Sequence, residues 1–287
     1  MVSEDLSSLA PARGRARRDV GMFLAVVVVV VAVLSTVLIR SGRPVDDQPL
    51  LVVLLTCTPA LVSIVLRMAG RQGFGDVSFR LNLRKAWRWY LIVWLIPIAV
   101  GALAYGIGWS TGLAPMRDDS GAGRVLVLVA VNATVAVPLN AVLATGEEIG
   151  WRGYLLPRMV QAGIRGPVVA TSIVWWLFHV PLILAGLYAS GPSAPFAALV
   201  FGGSVLALGA VAGWSRLDTG SVWPAVLLHA TWNAVIQGAF DVATAGEGPR
   251  AAHDVWVGES GLFVAGAALL VTAVVWWWRA PARTAQC

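Results

Sequence analysis

Apolar runs of about twenty residues recur along the whole of this sequence, and no other feature restricts the fold as much. A hydrocarbon core about 30 Å thick takes roughly 20 residues of helix to cross. Lipid offers the backbone no hydrogen bonds, so a spanning segment must satisfy its own N–H and C=O groups, as a helix does. Only 13% of the residues are charged, against about 25% in a soluble domain, which excludes a soluble fold. Outer-membrane barrels are excluded too, because their strands read as ~10-residue alternating segments. The expected fold is all-α, a polytopic bundle of about eight transmembrane helices over residues 20–39, 49–66, 90–109, 125–145, 167–187, 194–214, 221–240 and 261–278. The periodic apolar pattern of the fourth continues past Thr145 through Glu147, Glu148 and Arg152 to Pro157, which predicts a longer helix there. The layout is a cytoplasmic tail (1–19), a transmembrane domain (20–278, motif core 145–237) and a second cytoplasmic tail (279–287).

The basic residues set an orientation. With the N-terminus inside, the inner segments hold Arg13, Arg15, Arg17 and Arg18, six Lys or Arg between Arg67 and Arg88, then Arg152, Arg158, Arg165, Arg216, Arg279 and Arg283. These are sixteen of the 21 basic residues. Such asymmetry predicts an integral protein of the plasma (inner) membrane with both termini cytoplasmic, and it explains the net charge of +6 with no nucleic-acid partner. The Arg-rich leader resembles a secretory signal, but no A-x-A-like site follows and the apolar run exceeds an h-region, so a retained anchor is expected. The stretch Arg80 to Trp89, with Trp87 and Trp89 among Arg84, Lys85 and Arg88, reads as an interfacial segment facing anionic lipid or as a solvated loop with snorkelling arginines. Gly209 and Gly213 form a G-x-x-x-G face for close helix packing. Cys57 and Cys287 supply neither a disulfide framework nor a thiolate metal site.

Ionisable residues are costly in hydrocarbon, so the few in or beside apolar runs mark the place for chemistry. They are the stretch Gly146 to Gly153, His179, and His229 with Asn233; His253, among polar residues, is assigned no role. Glu148 and Arg152 are four apart in the favourable order for a helical ion pair. Glu147 is rotated about 100° away, which leaves it free. Trp175, one turn before His179, can pack on its ring. His229 and Asn233 share a face at a depth close to that of His179, so one carboxylate, two imidazoles and one carboxamide are expected to converge in the inner half of the bilayer, around a cavity open to the inner leaflet. A carboxylate beside an imidazole can hold and deprotonate a water. An imidazole with a carboxamide can donate to an oxyanion. No H-E-x-x-H is present, but Glu147, His179 and His229 could arithmetically ligate zinc and leave a fourth position for water.

These motifs in this order, E-E-x-x-x-R (Glu147, Glu148, Arg152), aromatic-x-x-x-His (Trp175, His179) and His-x-x-x-Asn (His229, Asn233), resemble the CPBP family of intramembrane proteases, also called the CAAX protease and bacteriocin-processing family. The resemblance covers about 145–237 and departs at Trp175, where the family more often has Phe. It implies a glutamate-type endopeptidase that uses no cofactor, with zinc the minority alternative. Glu147 and His179 would activate the water, His229 and Asn233 would stabilise the oxyanion, and Glu148 and Arg152, with Trp175, would support the site. The implied substrate is a membrane-embedded or lipidated peptide or protein, since members trim the residues after a prenylated cysteine or process peptides. The competing readings are a non-catalytic immunity or binding membrane protein and a proton-coupled transporter, the latter disfavoured by the absence of repeated halves. The chain's own end, Thr284 to Cys287, has no residues after the cysteine, so it is not expected to be a C-a-a-X substrate itself.

Overall fold

The computed structural model describes residues 3–189, 191–245 and 252–284; Cys287, Arg250 and the side chain of His253 lie outside the described residues. Among the described residues eight long helices follow one another. They are α1 (Ser3–Ser41), α2 (Pro49–Ala69), α3 (Leu83–Thr111), α4 (Ala122–Gln161), α5 (Pro167–Leu184), α6 (Ala194–Thr219), α7 (Trp223–Trp232, continued by π-helical turns over Asn233–Asp241) and α8 (Leu262–Thr284). The described residues contain no strand, only an isolated bridge between Met116 and Thr244.

Among the described residues seven helices are long and apolar enough to cross a membrane, which establishes an all-helical membrane bundle. The seventh expected span, 221–240, is helical but falls outside that set. Its polar residues His229, Asn233, Gln237 and Asp241 recur every four positions on α7 and dilute its hydropathy. The expected extension of the fourth helix is present, and α4 runs unbroken for 40 residues. Two π-helical turns interrupt its α-helical register, at Asn132–Ala136 and Trp151–Leu155. The basic head is helical and continuous with the first span, since α1 starts at Ser3.

The helices alternate in direction, which gives the bundle two ends. One holds the basic head and the connections 70–82, 162–166 and 220–222, joined where the Val222 amide donates to the Ser78 carbonyl at 3.2 Å. The opposite end holds 42–48, 112–121, 185–189, 191–193, 244–245 and 252–261, joined where the Arg117 amide donates to the Ala243 carbonyl at 3.0 Å.

The first connection at the basic end is neither simply interfacial nor simply solvated. Its turn Gly75–Val77 is tucked into the bundle, with Val77 fully buried against Gly153. Asp76 accepts from Arg158 and, at 2.5 Å, from Arg67. Burial would raise the Asp76 pKa, but the hydrogen bond and charge of Arg67, followed by those of Arg158, hold it below the usual aspartate value. Further along, Trp87 points outward beneath Arg88, while Trp89 is buried edge-on to Trp278. The Gly209 and Gly213 face packs closely as expected, since a Cβ on Gly213 would lie 2.7 Å from Val168 on α5 and one on Gly209 2.2 Å from Ser172.

Candidate active site

The glutamate pair sits where α4 meets α2, and glycine makes that contact possible. A Cβ on Gly150 would stand 2.2 Å from the Pro59 Cβ, and one on Gly146 2.8 Å from the Cys57 Sγ. Successive helical residues diverge by about 100°, so the two carboxylates acquire separate partners. Glu148 is 0% exposed; its Oε1 accepts from Arg152 Nη1 at 2.9 Å and lies 3.2 Å from His229 Nδ1. The ion pair expected from the spacing is therefore present, with the histidine as a third member. Arg152 is likewise fully buried, reaches the Gly209 carbonyl at 3.5 Å, and lies 4.4 Å from the centroid of the Trp175 ring.

Glu147, 5% exposed, faces the other way. Its Oε2 accepts from the indole N–H of Trp175 at 2.7 Å and from that of Trp151 at 3.2 Å. Trp151 was missed in the sequence although it is four residues from Glu147, the same spacing that singled out Glu148 and Arg152. The His179 Nδ1 lies 2.9 Å from the Trp175 carbonyl. A carbonyl only accepts, so Nδ1 carries the hydrogen and Nε2 of the neutral ring is an acceptor. Trp175, Phe178, Tyr188 and Phe201 surround the imidazole with ring centroids 6.2, 5.1, 5.4 and 5.2 Å away. Trp175 thus packs on His179 as expected, and it also holds Glu147, which the spacing alone did not reveal.

Glu147, His179, His229 and Asn233 all line one cavity of about 160 Å³, together with Gln237 and Tyr188. Among the described residues the Asn233 carboxamide forms no hydrogen bond to another protein group. A smaller void of about 20 Å³ adjoins, shares His179, His229, Asn233 and Tyr188, and reaches Glu259. The Tyr188 hydroxyl donates to Glu259 at 2.7 Å, as does the Trp232 indole. Gln237 extends the four-residue stripe of α7 and was legible from it. Tyr188 and Glu259 sit in connections with no distinguishing pattern.

The cavity is lined partly by helix interiors and partly by connections. Its wall includes Val45, Leu187 and Tyr188, from connections at the end opposite the basic one, whereas Trp151 to Leu156 pack solidly on the basic side. A larger groove, about 600 Å³, lies between α1 and the end of α2 beside Arg15, Arg18 and Met22, but holds none of the candidate side chains. Among the described residues no group of three or more His, Cys, Asp or Glu is arranged to hold a metal ion.

A membrane bundle enclosing a carboxylate, two imidazoles and a carboxamide in a walled cavity has the make-up of an intramembrane hydrolase. Residues 122–235 match the Rce1-like family, described as type II CAAX prenyl endopeptidase Rce1-like. The matched segment spans about two fifths of the chain, contains every candidate residue from Glu147 to Asn233, and bears out the resemblance to the CPBP proteases. It supports an intramembrane endopeptidase activity in general terms, in an integral membrane protein. A search of curated proteins finds no match to the chain.

Proposed function

We propose that the protein is a glutamate-type intramembrane endopeptidase that hydrolyses a peptide bond of a membrane-embedded or lipidated peptide or protein. The observation that carries this reading is the shared cavity of Glu147, His179, His229 and Asn233. Glu147, held by two indole donors, and the free Nε2 of His179 face a space large enough for a water and a peptide carbonyl. The water attacks the carbonyl carbon as its proton passes to this pair, and the proton then goes to the departing amine as the C–N bond breaks. The negative charge that develops on the carbonyl oxygen is met by Asn233 and by the Nε2 of His229. Because Nδ1 of His229 is committed to Glu148, Nε2 donates only when both ring nitrogens carry protons, and Glu148 is the counter-ion such a ring requires. Arg152 fixes Glu148 in turn. The scheme calls for no metal ion.

The test compares peptides and membrane proteins that accumulate in cells carrying the wild-type protein or Glu147→Gln, followed by rates on an accumulating substrate. Glu147→Gln is nearly isosteric and should fold while losing about 10²- to 10⁴-fold in rate. Asn233→Ala should fold, bind substrate and lose about 10²- to 10³-fold in the catalytic step. Full activity of Glu147→Gln would end the assignment of the base, and an Asn233→Ala rate near wild type would reduce Asn233 to a packing residue.

A further inference from the structure

We propose that Glu259, in the connection before α8, is a positioning residue that acts through Tyr188 to fix the plane of the His179 ring. The proposal rests on the protease reading for its effect on turnover, while the packing of His179 can be tested without any substrate.

His179 works through Nε2, because its Nδ1 is committed to the Trp175 carbonyl. A single hydrogen bond lets the ring tilt about it, so the plane of the ring is decided by what packs on it. Trp175 and Phe178 belong to α5 itself and Phe201 to α6; all three are buried and meet the imidazole at steep interplanar angles of 65, 81 and 60°. Tyr188 lies closer to face-on, 34° from the imidazole plane with centroids 5.4 Å apart. It differs from the other three in origin as well, since it comes from the connection after α5 and not from a helix.

A ring on a connection has no helical frame to hold it, and the backbone around this one is not in its most comfortable form. Gly186 has a φ of +70° and Ala189, directly after the tyrosine, a φ of +53°. The second of these is the left-handed region, which a residue with a Cβ occupies only at a cost. Contacts must therefore keep Tyr188 in place. Its ring packs on Phe201 with centroids 5.6 Å apart, and its hydroxyl donates to Glu259 Oε2 at 2.7 Å.

Glu259 is well seated for that task. Its Oε1 accepts from the Trp232 indole on α7 at 2.7 Å, and its backbone carbonyl accepts from the Ser204 hydroxyl on α6 at 3.0 Å. The preceding amide, that of Gly258, donates to the Tyr105 hydroxyl on α3 at 3.0 Å. Three helices thus fix the carboxylate that fixes Tyr188. Glu259 borders the void of about 20 Å³ beside His179 but is not among the walls of the larger cavity, so it acts through its neighbour and not on the substrate.

Four variants of the full chain test this: Glu259→Ala, Glu259→Gln, Tyr188→Phe, and Tyr188→Phe combined with Glu259→Ala. Tyr188→Phe keeps the ring and removes the tie. Glu259→Gln keeps an acceptor for the Trp232 indole and offers its amide to Tyr188, whose hydroxyl both donates and accepts, so it should recover most of what alanine loses. Misplacing a catalytic group by about 1 Å can cost roughly 10²-fold. On an accumulating substrate kcat is expected to fall about 10- to 100-fold in Glu259→Ala and in Tyr188→Phe with KM little changed, and the double variant should be no slower than Glu259→Ala, because the two residues act as a unit. Independently of any substrate, diethylpyrocarbonate should acylate His179, followed on its peptide by mass spectrometry, several-fold faster in Glu259→Ala and Tyr188→Phe than in the wild type or Glu259→Gln. A wild-type kcat in either single variant, fully additive losses in the double variant, or unchanged acylation of His179 would each overturn the proposal. Should Glu259→Ala not fold, Tyr188→Phe decides by the same two measurements, since it leaves Glu259 bonded to Trp232. Faster acylation in the variants of a chain that cleaves no substrate would remove the protease reading and leave the positioning of His179 standing.

Discussion

The indole of Trp175 donates to Glu147 at 2.7 Å, covers the Arg152 guanidinium at 4.4 Å, and lies in a residue whose carbonyl holds His179 at 2.9 Å. Phenylalanine, the commoner residue at this place in the family the motifs resemble, would keep the aromatic face and the backbone carbonyl but not the N–H. A hydrogen bond to a charged group contributes about 1.5–3 kcal/mol. Trp175→Phe should therefore fold, with Arg152 still covered, while Glu147 is left with Trp151 alone at 3.2 Å. We expect kcat to fall roughly 10- to 100-fold, the range that corresponds to that energy if the bond acts in the transition state, with KM little changed. An unaltered kcat would mean that Trp151 suffices to position the carboxylate. The spacing of Trp175 and His179 revealed a ring contact because that contact is local. The bond to Glu147 joins residues 28 apart in sequence, and only the packing of α5 on α4 creates it.

Close approach at the scale of helices follows from glycine, and here the sequence was half legible. The pair Gly209 and Gly213 announced a tight contact, yet Gly146 and Gly150, equally spaced and flanking the glutamates, mark the one that shapes the site. Small residues four apart show that some backbone comes near but do not say which, and the proximity of α2 was supplied by the fold. A methyl group on Gly150 would meet not only the Pro59 Cβ but its backbone carbon at 2.5 Å, and backbone cannot swing aside as a side chain can. Gly150→Ala should cost about 1–3 kcal/mol or more, read as a lower thermal transition in detergent. Gly106→Ala, where a Cβ would meet nothing within 4 Å, is the matched control and should lose no stability. Equal transitions for the two would show that α2 yields freely. The π-helical turns at Trp151–Leu155 and Asn233–Asp241 were not legible at all. A residue inserted into a helical turn leaves the composition untouched and shifts only the phase of later side chains, which a stripe this short cannot register.

For the whole molecule the number of helices was readable because hydrophobic length acts on segments singly. The interior of α7 obeys a different rule. His229 reaches Glu148, Asn233 and Gln237 face the cavity, and Asp241 accepts from Tyr105 on α3, so its polar stripe is satisfied only by neighbours. Alone in lipid the same stripe is a burden, since a single Asp near the centre of a span disfavours insertion by about 2.5–3.5 kcal/mol and less toward the ends. The bundle must therefore receive α7 from its surroundings instead of accepting it as a finished span. Residues 221–243, fused between reporter domains and offered to the insertion machinery, should fail to span. Replacing His229, Asn233, Gln237 and Asp241 together by leucine should make the isolated segment insert efficiently. In the complete chain the wild-type segment should span, as glycosylation sites placed on either side of it would report. Efficient insertion of the isolated wild-type segment would show that its polar face needs no partners in order to span.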